Sequence, residues 1–335
     1  FKDANSRGAF DEVLKLTPND KETMSALIAR QSALASSLFI DEGVLQLQAL
    51  SIAPFATGLG NEHPLENGFA FLNPYGLPYL PGSGVKGVLR RAAEELRDGV
   101  FGVSNQDGWT DAALQALFGV QDGEGDPRRG ALSFWDVIPQ LKGDHLQVEV
   151  MTPHQSHYYQ NDTKSPNGAN PHESGQPNPI NFLTVPPGSS FVFHVQCNLT
   201  LLARTEPALI ENNRWQALLQ AAMRHAFQWL GFGAKTAVGY GAMAEDSQAR
   251  QKRALQAATQ REAAVARDRA ERLAALGPEE REAEDAATRL AEFRSLLADE
   301  QRRKQYKAGS AFDGEGDETG VVGTGEVDHL AERAP

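Results

Sequence analysis

Pro81-Gly82-Ser83-Gly84-Val85-Lys86-Gly87-Val88-Leu89-Arg90-Arg91 reads as a glycine-rich turn running straight into a basic helix. Glycine permits close backbone approach and positive φ. The unpaired N–H groups of a helix start attract anions, and Lys86, Arg90 and Arg91 add positive charge at that end. Ser83 is placed to cap the helix, which Val85, Val88, Leu89 and Leu96 carry to about Arg97 before Asp98-Gly99 stops it. A second loop of the same character, Gly231-Phe232-Gly233-Ala234-Lys235-Thr236-Ala237-Val238-Gly239-Tyr240-Gly241, lies far downstream. The two loops offer Gly82, Ser83, Lys86, Arg90 and Arg91 on one side and Gly233, Lys235 and Thr236 on the other. Together they point to a surface that holds phosphate groups, of a nucleotide or of a polynucleotide.

The nucleotide reading fails on spacing. A P-loop places Gly-Lys four residues after its first Gly and follows it with Ser or Thr. Here Lys86 precedes Gly87 and Val88 follows. The second loop contains Gly-Phe-Gly-Ala-Lys-Thr, but it follows a helix late in the chain, where a dinucleotide fingerprint does not sit. For either loop alone, a tight turn whose glycines let helix and sheet pack is the simpler reading. Two lysine-bearing loops converging at one sheet edge favour binding.

Outward from the loops, Val44 to Leu50 alternates as a strand, with Leu45, Leu47 and Ala49 on one face. Thr110 to Phe118 reads as a short helix ending at Gly119. Ala131 to Ile138 and Leu146 to Met151 read as two strands forming a hairpin. Ser189 to Leu202 reads as a long strand, Pro207 to Leu230 as a helix, and Val238 to Met243 as a short strand. The order predicts an α+β domain over 39–244. Its core is a ferredoxin-like (RRM-like) split βαβ, a four-stranded antiparallel sheet with two helices on one face, plus one extra strand beside a long insertion. The insertion, 152–187, is rich in Pro, Asn, Gly and His without apolar period.

Residues 1–38 form an N-terminal helical segment, its helix capped by Asn19 or Asp20 and carrying Met24, Leu27, Ile28 and Leu34. Residues 245–307 are rich in Ala, Arg, Glu and Gln and predict a charged helical extension. It is either a solvated arm or a docking helix, with Leu290, Phe293, Leu296 and Leu297 as its apolar stripe. Residues 308–335 read as an acidic disordered tail.

A formal charge of −12 over 335 residues argues against coating nucleic acid by net attraction, so such contact must be local. Cys197 is the only cysteine, which excludes an intrachain disulfide and a multi-thiolate zinc site. It reads as a buried, inert thiol. No run approaches a membrane span and no signal-peptide pattern opens the chain, so a cytoplasmic protein without a membrane partner is expected.

The insertion carries His154, His157, Tyr158, Tyr159, Asp162, Lys164 and His172. A metal site would lean on Asp162 and Glu173 alone, and no metal or other cofactor is expected. A metal-independent ribonuclease would use His154 or His157 as general acid or base, but no second catalytic partner is evident. The favoured reading is a recognition loop whose rings stack on exposed bases. Asp136, after Phe134-Trp135, reads as a satisfied structural acid or as a positioner of Arg128 or Arg129.

The run 76–90 resembles the signature of the repeat-associated mysterious proteins (RAMPs) of CRISPR systems, Pro-Gly-Ser-Ser-hydrophobe-Lys-Gly-hydrophobe-hydrophobe-Arg, with Gly84 in place of the second Ser. The 231–241 loop is similar to their C-terminal glycine-rich loop. Thr57-Gly58-Leu59-Gly60, Phe134-Trp135-Asp136, and Met151-Thr152-Pro153-His154 through Pro179–Val185 resemble, more narrowly, the sixth RAMP subunit of type III-B (Cmr) effector complexes. The resemblance covers about 44–244. It implies a non-catalytic subunit that binds CRISPR RNA near its 3′ end and contacts the guide–target duplex in antiviral defence. Its implied partners are CRISPR RNA, target RNA, the backbone RAMP subunit, the capping RAMP subunit and the small helical subunit. Lys86, Arg90 and Lys235 would contact phosphates, and His154, His157, Tyr158 and Tyr159 would form a thumb. The competing expectations are an endoribonuclease that processes CRISPR RNA through His154 or His157, and a purely structural filament cap.

Overall fold

The computed structural model describes residues 10, 13–38, 43–62, 67–99, 108–120, 128–153, 179–249, 251–252, 259, 263, 265–268 and 270–272. The chain divides into two units, 1–254 and 255–335. In the second, the described residues are helical and exposed; all described strands belong to the first. The expected thumb residues, the stripe at 290–297 and the tail at 308–335 lie outside the described residues.

Helix α1 (Pro18–Leu38) starts at a reciprocal cap: Asp20 N–H donates to Thr17 Oγ1 (3.2 Å) and Thr17 N–H to Asp20 Oδ2 (2.8 Å). Thr17 is therefore the cap, and Asp20 reaches back from the first turn. Strand β1 (Val44–Ser51) follows, then a hairpin of β2 (Phe71–Leu72) and β3 (Leu77–Pro78), then α2 (Gly82–Asp98). Helix α3 (Asp111–Phe118) begins at Thr110, whose side chain accepts from Ala113 N–H. After it come β4 (Gly119–Val120), β5 (Arg128–Arg129), β6 (Leu132–Phe134), β7 (Gln147–Met151), β8 (Ile180–Thr184) and β9 (Ser190–Cys197). Helices α4 (Leu199–Thr205) and α5 (Arg214–His225) and strand β10 (Met243–Glu245) complete the unit.

The fold is α+β. The main sheet runs β10-β1-β9-β6, every neighbour antiparallel, with Leu45 opposite Val195 and Ser51 opposite Met243. Alternation fixes its faces. Phe191, Phe193, Val195 and Cys197 of β9 are all buried, and Phe193 meets Phe227 and Phe232 edge-on or tilted. Helix α2 packs on α5 and β6 through Val85, Leu89, Ala92, Ala93 and Leu96, a stripe at helical spacing. Gly99, left-handed at φ 70, closes its C-terminus by donating to Glu95 O.

The structure corrects five expectations. The strands at 131–138 and 146–151 do not pair with each other. Val137 exchanges hydrogen bonds with Leu80, which draws the chain off the sheet before Pro139, a residue without an N–H to continue the ladder. β7 instead pairs with β8 from Gln147↔Thr184 to Met151↔Ile180, so a strand lies inside the stretch read as a featureless insertion. β9 stops at Cys197, because Asn198 caps α4 by accepting from Leu201 N–H. The helix expected from Pro207 splits at Asn212 and Asn213, both left-handed, and ends in a π turn, Ala226–Leu230. The last strand starts only at Met243, after a 3-10 turn at Thr236–Val238. Cys197 is buried as expected, and burial pushes its thiol up to about 12. Among the described residues no helix is long and apolar enough to cross a membrane.

Candidate nucleic-acid interface

The first glycine loop is set by strand pairing. Leu80 bridges to Val137, and α2 begins two residues later at Gly82 behind Pro81, which makes no side-chain cap. Ser83 is thus inside the helix rather than its cap. The Gly82 N–H donates to Asp136 Oδ1 at 2.7 Å. A carboxylate from the chain itself therefore sits at the positive end of the helix. This is the structural alternative for Asp136; Arg129 turns instead to Ser133 Oγ (3.3 Å). Any Cβ on Gly82 would collide with the Phe134 carbonyl, so helix and β6 touch through that glycine.

Beyond Gly82, Ser83, Gly84 and Gly87 are exposed and Lys86 is half-buried. Arg90 points inward. It is 9% exposed and donates to Gly119 O (2.9 Å) and Glu94 Oε1 (3.0 Å), which reassigns it from phosphate contact to holding α2 against β4. Arg91 is exposed, its Nε donating to Glu95 Oε1 (2.9 Å).

The second loop leaves the π turn at Gly231 and closes on itself, with Phe232 N–H donating to Gly241 O (2.9 Å). Phe232 is buried against Phe193 and Phe227. Gly233 lies on Ala56 and the Phe55 ring. Lys235 is left-handed at φ 57, and Thr236 opens the 3-10 turn. The Lys235 Nζ lies 3.3 Å from Met151 Sδ and 5.5 Å from the centre of the Phe182 ring. Tyr240 donates its O–H to Glu149 Oε2 (3.3 Å) and meets Phe182 edge-on. Partial burial, then Glu149, raises the Tyr240 pKa. The loop is thus seated on the β7–β8 ribbon, at the root of the segment that carries His154, His157, Tyr158 and Tyr159, themselves outside the described residues.

Both loops belong to one end of the sheet, where β1 and β6 finish and β9 and β10 begin. A series of backbone hydrogen bonds runs between them. Ala234 N–H donates to Ala56 O, Ala70 N–H to Thr57 O, Tyr79 N–H to Ala70 O and Leu80 N–H to Val137 O. The second loop and the α2 start are thus tied together through residues 54–57 and 70–80, with Gly82 itself buried. Among the described residues no group of three or more His, Cys, Asp or Glu is placed to hold a metal ion.

One signal in the sequence escaped the motif reading. Asp and Glu number 44 in 335 residues, yet 67–93 and 212–244 contain neither. These stretches enclose both glycine loops and the β2–β3 hairpin. Within the two loop-bearing stretches the acidic chain carries no Asp or Glu; the acids that meet them, Asp136 and Glu149, come from neighbouring strands and turns.

The model of the RAMP superfamily matches residues 48–244. The chain belongs to the RAMP superfamily. Over 238 residues it is 29% identical to the CRISPR system Cmr subunit Cmr6 of Pyrococcus furiosus, a match that covers 56% of this chain and 64% of that one. The chain thus spans less than two thirds of the length of that relative. Among solved structures, a type III-B Cmr-beta complex bound to cognate target RNA contains a chain 21% identical, with 73% of this RAMP chain and 72% of that chain covered at a TM-score of 0.47. The crystal structure of Cmr6 from Pyrococcus furiosus is 23% identical, with 62% and 99% covered at a TM-score of 0.37.

Proposed function

We propose that this RAMP chain is a non-catalytic, RNA-binding subunit of a type III-B CRISPR (Cmr) interference complex. It binds CRISPR RNA near the 3′ end and contacts the guide–target duplex, beside the backbone and capping RAMP subunits and the small helical subunit. The identity with Cmr6 supports the placement in that complex. The strand order β10-β1-β9-β6, with α2 joining β1 to β6 and α5 joining β9 to β10, supports reading the core as ferredoxin-like. The observation that carries the RNA reading is that the two loops bearing Lys86 and Lys235 come to one end of the sheet and lie in stretches, 67–93 and 212–244, without an Asp or Glu of their own. A polyanion is attracted there locally despite the net charge of −12.

The test is a titration of the full chain with single-stranded RNA of mixed sequence at several salt concentrations. Replacing Lys86 and Lys235 by Ala should weaken binding and flatten the plot of log K against log salt by about 0.7 per lysine. A double variant with the wild-type affinity and slope would remove both lysines from the interface. For catalysis, incubation with CRISPR repeat RNA in EDTA should leave the RNA intact. Cleavage abolished by His154→Ala with His157→Ala would replace this reading with an endoribonuclease.

A further inference from the structure

We infer that the β2–β3 hairpin is a base-stacking finger: Tyr75 and Phe71 receive an unstacked base of single-stranded RNA whose backbone runs past Lys86. The inference rests on the RNA-binding reading above and names a contact that reading lacks.

The hairpin is short and its tip, Asn73-Pro74-Tyr75-Gly76, is exposed. Gly76, left-handed at φ +68, closes the turn by donating to Leu72 O (2.9 Å). Tyr75 is 45% exposed and Phe71 37%. A hairpin of two-residue strands gains little stability from its own pairing, and the Tyr75 ring at its tip is left nearly half exposed. The root is held firmly. Phe71 lies 5.0 Å from the buried Phe69 ring, Ala70 N–H donates to Thr57 O (3.1 Å), and Tyr79 N–H donates to Ala70 O (3.4 Å). An aromatic surface fixed in advance loses little freedom when a ring stacks on it.

Its position relates it to the interface. Three residues after β3 the chain enters α2, so the finger and the Lys86 loop are one continuous segment. Both fall within 67–93, which holds four aromatic residues, Lys86 and the exposed Arg91, and no carboxylate of its own, Arg90 being turned inward. Exposed rings alone would equally suit a protein partner. Rings combined with cations and an absence of acids suit a ligand with flat faces and a negative backbone, which is single-stranded nucleic acid.

The experiment compares wild type, Tyr75→Ala, Tyr75→Trp and Lys86→Ala, as full chains, on a mixed-sequence single-stranded RNA and on an abasic RNA of equal length. Tyr75→Ala should bind the mixed-sequence RNA roughly 5- to 50-fold more weakly, with the salt slope unchanged. On abasic RNA it should match wild type, whereas Lys86→Ala should be weaker on both. Tyr75→Trp should restore binding to the base-bearing RNA. Tyr75 sits in an exposed turn, so thermal melts should coincide for all four proteins. If wild type binds RNA and Tyr75→Ala binds it equally well, or loses equally on abasic RNA, the finger is overturned while the RNA-binding reading stands. If wild type binds neither RNA, that reading fails and the finger with it.

Discussion

A methyl group on Gly82 would land on the Phe134 carbonyl, whereas one on Gly87 would meet nothing within 4 Å. The sequence presents both as members of one glycine-rich run, and only packing separates them. Gly241 is the extreme case, left-handed at φ +70 with the Phe232 carbonyl where its Cβ would be. Gly241→Ala should therefore destabilise the protein by about 2–4 kcal/mol, read as a lower urea midpoint. Gly87→Ala lies on an open helix surface and should stabilise by about 0.5–1 kcal/mol; if the surface grips RNA as proposed, the same change should weaken binding. Cys197 yields a pH prediction. Its folded pKa is raised from 9.0 to about 12, so above pH 9 the unfolded thiol loses its proton while the folded one keeps it. Its stabilising contribution is complete below pH 9 and declines up to about pH 12. Urea midpoints across that window should fall less steeply in Cys197→Ala.

At the level of elements, α2 and α5 are fastened by a buried pair, Glu95 Oε2 with His225 Nε2 at 2.8 Å, with Arg91 on the outer carboxylate oxygen. Removing His225 deletes this buried hydrogen bond and leaves Glu95 to Arg91 alone. His225→Leu should cost roughly 1–3 kcal/mol, with little change in the denaturant slope if the native fold persists. This pair was invisible in the sequence because its members lie 130 residues apart. The helices themselves were legible, since Val85, Leu89 and Leu96 repeat at helical spacing and Gly99 ends the run. So was the alternation of Phe191, Phe193 and Val195. The pairing of β7 was not. Nothing local in Gln147–Met151 says that its partner is Ile180–Thr184 rather than the nearer Leu132–Phe134. The break before α5 was written in Asn212-Asn213, yet two asparagines inside a helical period do not by themselves demand left-handed backbone.

Taken whole, the RAMP chain is acidic and unevenly so, with its carboxylates excluded from the segments around both glycine loops. The location of that end was inferable from element order alone, because alternating strands and helices return both loops to one side. Which cations remain available there was not, since Arg90 and Arg91 are neighbours in sequence and opposite in fate. The family-matched region 48–244 lies wholly in the first unit. A chain ending at Ala254 should accordingly unfold in one cooperative transition and, under the proposed function, bind RNA as tightly as the full chain, measured by melting and titration; loss of either would show that 255–335 is required. Finally, the tie between Gly82 and Asp136 sets one of the chain's own carboxylate oxygens at the start of α2. If this end grips RNA as proposed, a lone orthophosphate or a nucleoside triphosphate would meet that charge and compete poorly for the seat. Such small competitors should leave a bound polymer undisturbed, and only a ligand long enough to span several footholds should stay.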